Sequence, residues 1–407
     1  MKDKIVLALA GLPSQGNHGG AQTCYGIIEA LRNQYDLHIV SFYETSNQYL
    51  RDKKKNEDLL KKLKIKINYV KIEKDIKKNF FQKLIILKDF FFPNLENYYK
   101  WAKYKNKLKP ILKRINPRFI ICYHYEPLVA MYELNYKIFP MFGDPSQKII
   151  ENFFIKKINN STSLKIIYKL QLKILTSILD RLFIKITKNC EKVFFFAAHY
   201  VEWSKNLGVK SYYIRTPLYD NFKNNQNRKK NKKFSILMIG DLSGTVTKSG
   251  LDFFFLKIYP KLIKKIHEKD FEVNIIGRNF ISYKKKYNFI NNINFLGRVE
   301  PADKYFQKSD IILTPNIIDL GIRVRIITAF GYGCPVITHQ SNKRGIPEIK
   351  SNFNALVASS SEKITNHILE IYKNIPLRKK ISSNGKKTFK KYFTHNVFLK
   401  NFTKLKK

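Results

Sequence analysis

The run of residues best suited to binding an anion is Thr314–Thr338. The pattern predicts a helix that begins at Gly321, with its free N–H groups and positive dipole end facing the edge of a sheet. Arg325 and Thr328 are three residues apart and therefore share one face of that helix, whereas Arg323 points more to the side. This arrangement favours Arg325 as a phosphate contact.

A loop of small residues follows an expected strand at residues 234–240. The loop begins after Gly240 and includes Lys248, which could neutralise a diphosphate. Ligands of open parallel sheets bind at such carboxyl ends of strands, where glycines let backbone N–H groups approach phosphate. Most loops between a strand and a helix are rich in glycine and serine, so an ordinary loop is the equal alternative.

Groups able to move a proton follow strand ends in the first half of the chain. His124 and Glu126 come directly after an expected strand and could position or deprotonate a hydroxyl group. His18 and Asp144 occupy similar positions, and the pair Gly19–Gly20 opens an expected helix. For each of these residues the alternative is ordinary loop structure.

The elements that must position these groups alternate between strands and helices. Residues 4–43 read as strand, glycine-rich turn, helix and strand, which is the opening of a parallel sheet. After the polar run 223–233 the alternation is regular, as in a doubly wound sheet. We predict an α/β protein of two Rossmann-like domains, residues 1–222 and 234–392, facing each other across a cleft. A helical tail at 393–407 is expected to pack back on the first domain.

Two inserts in the first domain, at residues 79–114 and 155–188, combine helical periodicity with many lysines and aromatic residues. Lysines suit anionic head groups, and aromatic side chains suit the membrane interface, so an anionic membrane surface is a candidate partner. The alternative is aromatic core packing beneath solvated lysines. Since no segment has the roughly 20 consecutive apolar residues that cross a bilayer, we expect any membrane contact to be peripheral.

Charge and cysteine usage narrow the class of protein. The 407 residues carry a formal net charge of +45, with lysine spread along the whole chain. Part of this excess is compositional bias, and because no recognition helix, RNA-binding motif or zinc site accompanies it, we expect no nucleic-acid partner. The four cysteines lie far apart without a zinc-binding spacing, which suits a reduced cytoplasm. The chain lacks the Gly-x-Gly-x-x-Gly motif after its first strand that a dehydrogenase needs.

Five short motifs follow one another in the second half of the chain. They are FLGRV (Phe295–Val299), SDIILTP (Ser309–Pro315), the run Gly321–Ile337, GIPE (Gly345–Glu348) and NALV (Asn354–Val357). In this order and spacing they resemble the nucleotide-sugar domain of GT-B glycosyltransferases, most closely the retaining family-4, or group 1, type. The turn His18–Gln22 and residues 190–209 are similar to the opening turn and to the last N-terminal strand and helix of such proteins.

The resemblance implies an enzyme that moves a sugar from a nucleotide-sugar donor to a hydroxyl of a bacterial surface glycan or glycolipid precursor. It implies no metal or other cofactor, and a cytoplasmic location with the inner face of the membrane as a candidate attachment site. The candidate catalytic residues are His124 and Glu126. The implied nucleotide-sugar contacts are Gly19, Gly20, Gly240, Lys248, Gly321, Arg323, Arg325, Thr328 and Glu348.

Two residues depart from the family pattern. Thr328 stands where these enzymes carry the glutamate that holds the nucleotide ribose, so a charge-assisted hydrogen bond is lost. Asp241 stands where an arginine is expected near the diphosphate, and Asp319 lies one position from the other expected acid. These departures leave open a non-catalytic homologue that binds a nucleotide-sugar or glycan. A basic nucleic-acid-binding protein and a sugar-nucleotide epimerase are less favoured.

Overall fold

The computed structural model describes residues 2–13, 19–43, 47–72, 101–161, 163–222, 233–242 and 244–406. The chain forms two compact units. The first comprises Met1–Ser14, Ile28–Ile214 and Phe402–Lys407, and the second comprises Gln15–Ile27 and Arg215–Asn401. The second unit therefore begins before the predicted limit at residue 222, and the end of the predicted tail belongs to the first unit. His18, most of the first insert and most of the polar run lie outside the described residues.

The first unit is built on a parallel sheet. Its strands are β1 (Lys4–Ala10), β2 (Asp36–Tyr43), β3 (Lys66–Lys71), β4 (Phe119–Tyr123), β5 (Ile138–Phe142), β6 (Val193–Phe195) and β7 (Ser211–Tyr213). Among the described residues these seven strands lie in the order β3-β2-β1-β4-β5-β6-β7. Every side chain of β4 is buried, as expected for a strand in a parallel sheet covered on both faces.

The helices that begin in this part of the chain connect the strands. They are α1 (Gly19–Leu31), α2 (Asn47–Lys62), α3 (Lys105–Ile115), α4 (Tyr125–Met131), α5 (Ser146–Asn160), α6 (Lys165–Thr187) and α7 (His199–Asn206). The ring of Phe402, near the end of the chain, lies 5.8 Å from the rings of both Phe139 and Phe194. The end of the predicted tail thus packs against β5 and β6.

The second unit also contains a parallel sheet. Its strands are β8 (Phe234–Ile239), β9 (Phe271–Ile276), β10 (Ile293–Gly297), β11 (Ile311–Thr314), β12 (Val336–His339) and β13 (Leu356–Ala358), in the order β10-β9-β8-β11-β12-β13. The helices that begin in this part of the chain are α8 (Thr245–Phe253), α9 (Tyr259–Leu262), α10 (Ile281–Tyr287), α11 (Asp303–Lys308), α12 (Val324–Tyr332), α13 (Ser341–Gly345), α14 (Ser361–Lys373), α15 (Ile375–Tyr392) and α16 (His395–Leu405). The predicted pair of doubly wound α/β domains is confirmed.

Two helices differ from their predicted form. The helix expected to begin at Gly321 begins at Val324, because Gly321 has a φ of 65°, in the left-handed region that a right-handed helix excludes. The sequence of residues 250–268 predicts a single helix, but α8 begins earlier and continues through a π-helical turn, Phe254–Ile258, into α9. No helix in the described part of the chain is long and apolar enough to cross a bilayer.

Candidate functional site

The second sheet changes direction between β8 and β11. From β8 the chain builds β9 and β10 on one side, and it then returns to form β11 on the other side. At such a switch point the following helices lie on opposite faces of the sheet and leave a crevice at the carboxyl ends of the strands. The segments after β8 and β11, which lead into α8 and α12, both start at this edge.

Arg325, in the first turn of α12, crosses from the β11 side of the crevice to the end of β8. Its guanidinium donates hydrogen bonds to the carbonyl oxygen of Ile239 and, at 3.4 Å, to Oγ1 of Thr247. A Cβ atom at Gly240 would overlap Nη1 of Arg325 and would lie 2.9 Å from Oγ1 of Thr247. A side chain at residue 240 would therefore displace the guanidinium from its present position, and the segment after β8 meets α12 at this point.

No carboxylate within the described part of the chain balances the charge of Arg325. Burial, with repulsion from Arg323 as the second cause, lowers the pKa of the Arg325 guanidinium to about 9. The side chain is still protonated at neutral pH, and no carboxylate among the described residues offsets the lowering. A partly buried cation without an anionic partner is unfavourable unless a ligand supplies the opposite charge. The site is therefore suited to a phosphate group.

Arg323 is the residue that precedes α12, and its side chain is held in place. Its Nε donates to Oδ1 of Asn342 at 3.2 Å, and its Nη2 donates to the carbonyl oxygen of Leu320. Asn342 is fixed in turn by hydrogen bonds to the carbonyl oxygen of Thr314, at 3.2 Å, and to Oγ1 of Thr338, at 3.0 Å. A second guanidinium thus lies at the start of α12, where the first-turn N–H groups lack partners within the helix.

The loop before α8 completes the crevice. Asn316, two residues after β11, donates through Nδ2 to the carbonyl oxygen of Val246 at 2.7 Å. Its Oδ1 is buried and has no hydrogen-bond partner within the described part of the chain. A small cavity is lined by Thr247, Asn316 and Arg325 together with apolar residues of the sheet. Lys248 is exposed near the start of α8, beside Thr247.

Arg278 is a cation that the sequence analysis did not single out. It lies two residues after β9, and its Nη2 is 3.4 Å from a carboxylate oxygen of Asp241. Asp241 also accepts a hydrogen bond of 3.1 Å from Nδ2 of Asn279. Asp241 stands where an arginine was expected. Arg278, after the neighbouring strand β9, places a positive charge at the same edge of the sheet. Its position just after a strand end was the available sequence signal.

Two residues that were predicted to contact the nucleotide-sugar, Thr328 and Glu348, interact with other residues of the protein. Thr328 is only 6% exposed, and its hydroxyl donates to the carbonyl oxygen of Val324 at 3.0 Å, within its own helix. Glu348 is only 7% exposed, and its carboxylate forms an ion pair of 2.5 Å with Nε of Arg215. The structure therefore gives both side chains internal roles, and their contacts with a sugar-nucleotide stay predictions.

Gly19 lies next to the first turn of α12, at the edge of the site. Residues Gln15–Ile27 belong to the second unit, and a Cβ atom at Gly19 would lie 2.9 Å from the side chain of Val324. The backbone at Gly19 therefore packs closely against the first turn of α12. Gly321, in contrast, lies before the helix in a left-handed conformation.

His124 and Glu126 lie in the first unit, after β4. His124 precedes α4 with a φ of 73°, a conformation that is strained for a residue with a side chain and that concentrates at functional sites. Burial raises the pKa of the Glu126 carboxyl group, while backbone N–H groups of Glu126 and Tyr125 oppose the rise. Asp144 follows β5 and accepts a hydrogen bond of 2.8 Å from Oη of Tyr200. The structure thus brings these polar groups to the ends of adjacent strands.

Residues 233–374 match the model of the family described as Glycosyl transferases group 1. This segment is therefore similar to the group 1 glycosyltransferases. The predicted resemblance to GT-B glycosyltransferases is confirmed. The match contains β8 to β13 and the whole of the crevice around Arg325. A comparison with curated protein sequences finds no match.

Solved structures of glycosyltransferases share the fold over the full length of the chain. A glycosyltransferase from Rickettsia africae is 15% identical, with a TM-score of 0.65 over 100% of this chain and 98% of that one. HepE from Anabaena, in complex with UDP, is 11% identical, with a TM-score of 0.67 over 100% and 99%. A variant of TarM from S. aureus, in complex with Fondaparinux, alpha-GlcNAc-glycerol and UDP, is 11% identical, with a TM-score of 0.70 over 99% of both chains.

Proposed function

We propose that this protein transfers a sugar from a nucleotide-sugar donor to a hydroxyl group of a glycan or lipid-linked acceptor. The observation that carries the proposal is Arg325, a partly buried cation at the switch point of the sheet that matches group 1 glycosyltransferases, for which the described residues supply no anionic partner. The diphosphate of the donor would supply the missing negative charge. The presence of UDP in the HepE and TarM structures makes UDP-sugars the first donors to test.

The transfer breaks the bond between the anomeric carbon and the diphosphate oxygen, and the electron pair stays on that oxygen. The acceptor oxygen forms the new bond to carbon and releases its proton. Negative charge therefore grows on the leaving diphosphate, and fixed positive groups aimed at it lower the barrier. Arg325, Arg323 and the first-turn N–H groups of α12 supply these charges in the proposal, with Arg278 and Lys248 at the rim and no divalent metal required.

The acceptor side is proposed for the first unit. His124 and Glu126 are the candidate proton acceptors, because a strained histidine and a carboxyl group of raised pKa follow the same strand end. A surface glycan or glycolipid precursor in the cytoplasm is the proposed acceptor class. Its support is the family resemblance together with the glycan compounds in the TarM structure.

The first test is calorimetric titration of the full chain with UDP and UDP-sugars, followed by an assay for UDP release with glycan acceptors. We expect saturable UDP binding that does not change when EDTA is added. Failure of every nucleoside diphosphate to bind would refute the proposal. Loss of binding in EDTA would refute only its metal-independent form.

A second function, non-catalytic binding of a nucleotide-sugar, is favoured by the internal hydrogen bond of Thr328. It predicts UDP-sugar binding without release of UDP for any acceptor. Thr328→Glu restores the expected ribose contact, and we expect it to tighten UDP binding if the site keeps the family's chemistry. Weaker binding by this variant, with its fold retained, would show that the site recognises the nucleotide in another way.

A further inference from the structure

The helical hairpin α5–α6 of the first unit carries an uncovered apolar surface. Among the described residues of that unit, all nine large hydrophobic side chains that are strongly exposed lie between Ile149 and Ile184. They include Ile166, which is 81% exposed, and Leu170, which is 59% exposed. Monomeric soluble proteins rarely expose contiguous apolar surface of this kind without a binding role.

The exposed residues follow one side of the hairpin. Ile166, Leu170 and Ile174 are spaced four residues apart and therefore share one face of α6. The buried residues of the same helix, such as Leu175 and Leu179, pack against Ile150 and Phe154 of α5. The two helices thus form their own small core, and the opposite face of α6 is left uncovered.

The charge of the central part of this surface has a single sign. Between Glu151 and Asp180 the sequence contains no acidic residue, but it contains five lysines. They are Lys156, Lys157, Lys165, Lys169 and Lys173. Lys157 lies over the ring of Phe153, with its Nζ 4.6 Å from the ring centroid, so cationic and apolar groups are interleaved near the end of the hairpin.

We propose that the α5–α6 hairpin is the surface by which this protein binds an anionic lipid membrane. Its exposed aliphatic and aromatic side chains would enter the interface while the lysines contact acidic head groups. A second copy of the chain is a poorer occupant, because it would bring the same five lysines against the first set. This inference does not depend on transferase activity, since it concerns only residues of the hairpin.

The apolar part is tested by co-sedimentation of the full chain with phosphatidylcholine vesicles that contain or lack phosphatidylglycerol. We expect binding only to vesicles with phosphatidylglycerol. The double variant Ile166→Ser, Leu170→Ser should bind them about tenfold more weakly or worse, because two anchoring side chains are lost. The matched control is Ile281→Ser with Phe289→Ser, which removes exposed hydrophobic residues from the second unit and should bind like wild type.

The charged part is tested in the same assay. Lys165→Glu with Lys169→Glu should abolish the preference for phosphatidylglycerol, and raising the salt concentration should weaken binding by the unaltered chain. The control is Lys284→Glu with Lys285→Glu on α10, which changes the net charge equally at another exposed site. Equal losses in both pairs would show that total charge, not the hairpin, directs binding, and would overturn the proposal.

Sedimentation velocity without lipid tests whether a second copy of the chain, rather than a membrane, covers the hairpin. A dimer that the Ile166→Ser, Leu170→Ser variant converts to a monomer, together with no binding to either vesicle, would show that a second copy covers the hairpin and would refute the membrane proposal. Circular dichroism and the unfolding temperature confirm that each variant is folded. Because all four substituted hairpin residues are exposed, we expect unfolding temperatures close to that of the unaltered chain.

Discussion

Replacing Arg325 by glutamine separates a ligand-binding arginine from a structural one. Burial lowers the pKa of this guanidinium from its ordinary value to about 9, which corresponds to as much as about 5 kcal/mol of unfavourable charge burial at about 1.4 kcal/mol per pKa unit. Because the Arg325 side chain is partly exposed to solvent, the cost of burying its charge is smaller than this upper value. Removing the charge therefore raises the free energy of unfolding. Loss of the hydrogen bonds to Ile239 and Thr247, each worth about 1 kcal/mol, offsets part of this gain in stability. We therefore expect Arg325→Gln to leave the free energy of unfolding within about 2 kcal/mol of wild type, or to raise it.

The Arg325→Gln variant should bind UDP more weakly, although its stability is retained or increased. A charge-assisted hydrogen bond contributes about 1.5 to 3 kcal/mol, so the variant should bind UDP roughly ten- to a hundredfold more weakly. Calorimetric titration measures the affinity, and urea unfolding without ligand measures the stability. Because the folded-state pKa is depressed, both states are protonated below about pH 9 and the unfavourable charge burial is fully present at pH 7.

Arg378 provides the matched control. Its Nη1 forms an ion pair with Asp310 inside the same unit, and the two side chains are 19% and 17% exposed. Arg378→Gln leaves a largely buried carboxylate without its cation, which should destabilise the fold by about 3 kcal/mol while the UDP affinity stays the same. Equal UDP affinity for wild type and Arg325→Gln, or a loss of stability in that variant as large as in Arg378→Gln, would refute the assignment of Arg325 to the ligand.

Three further substitutions test the two strand edges. Gly240→Ala should displace the guanidinium of Arg325 and weaken UDP binding about tenfold. The control is Gly208→Ala, because Gly208 has a left-handed φ but open space around it. This control should lose only about 1 kcal/mol of stability. His124→Gly should relieve a left-handed backbone and raise the free energy of unfolding by up to about 1 kcal/mol, while UDP release falls in the transfer assay. Glu126→Gln should be more stable than wild type at pH 7, and the difference should vanish at acid pH. The reason is that a raised folded-state pKa stabilises the fold below the unfolded pKa and loses that contribution as the pH rises. Unfolding curves across the pH range measure this effect, and a constant difference would contradict it.

The strands were the part of the fold most accessible from sequence. The sequence predicts strands at residues 4–10, 271–276 and 311–314, and β1, β9 and β11 have these bounds. Uninterrupted apolar runs bounded by polar or turn residues mark such strands, which are buried on both faces. The start of α12 was not accessible in the same way. Apolar periodicity continues back through Ile322, and only the positive φ of Gly321 shows that the chain turns before the helix begins.

The candidate site was only partly predictable for a related reason. Arg325 could be named because its position on a helix start has a general electrostatic meaning. Asn316 and Arg278 follow strand ends as ordinary loop residues, and their roles depend on which strands are neighbours in the sheet. Strand order is a long-range property, so the meeting of β8, β9 and β11 at one edge has no local signal.

The same limit applies to Asp241 and Thr328, the two departures from the family pattern. Sequence alone shows two charges lost from the diphosphate and ribose positions. The structure shows that Arg278 places a cation beside Asp241, whereas the hydroxyl of Thr328 donates to the carbonyl oxygen of Val324 within its own helix. The proposed phosphate site, without the ribose contact, predicts a characteristic selectivity. UDP and pyrophosphate should compete for the site, and uridine alone should not bind measurably. Binding of uridine as tight as that of UDP would show that the nucleoside, not the diphosphate, is what this crevice recognises.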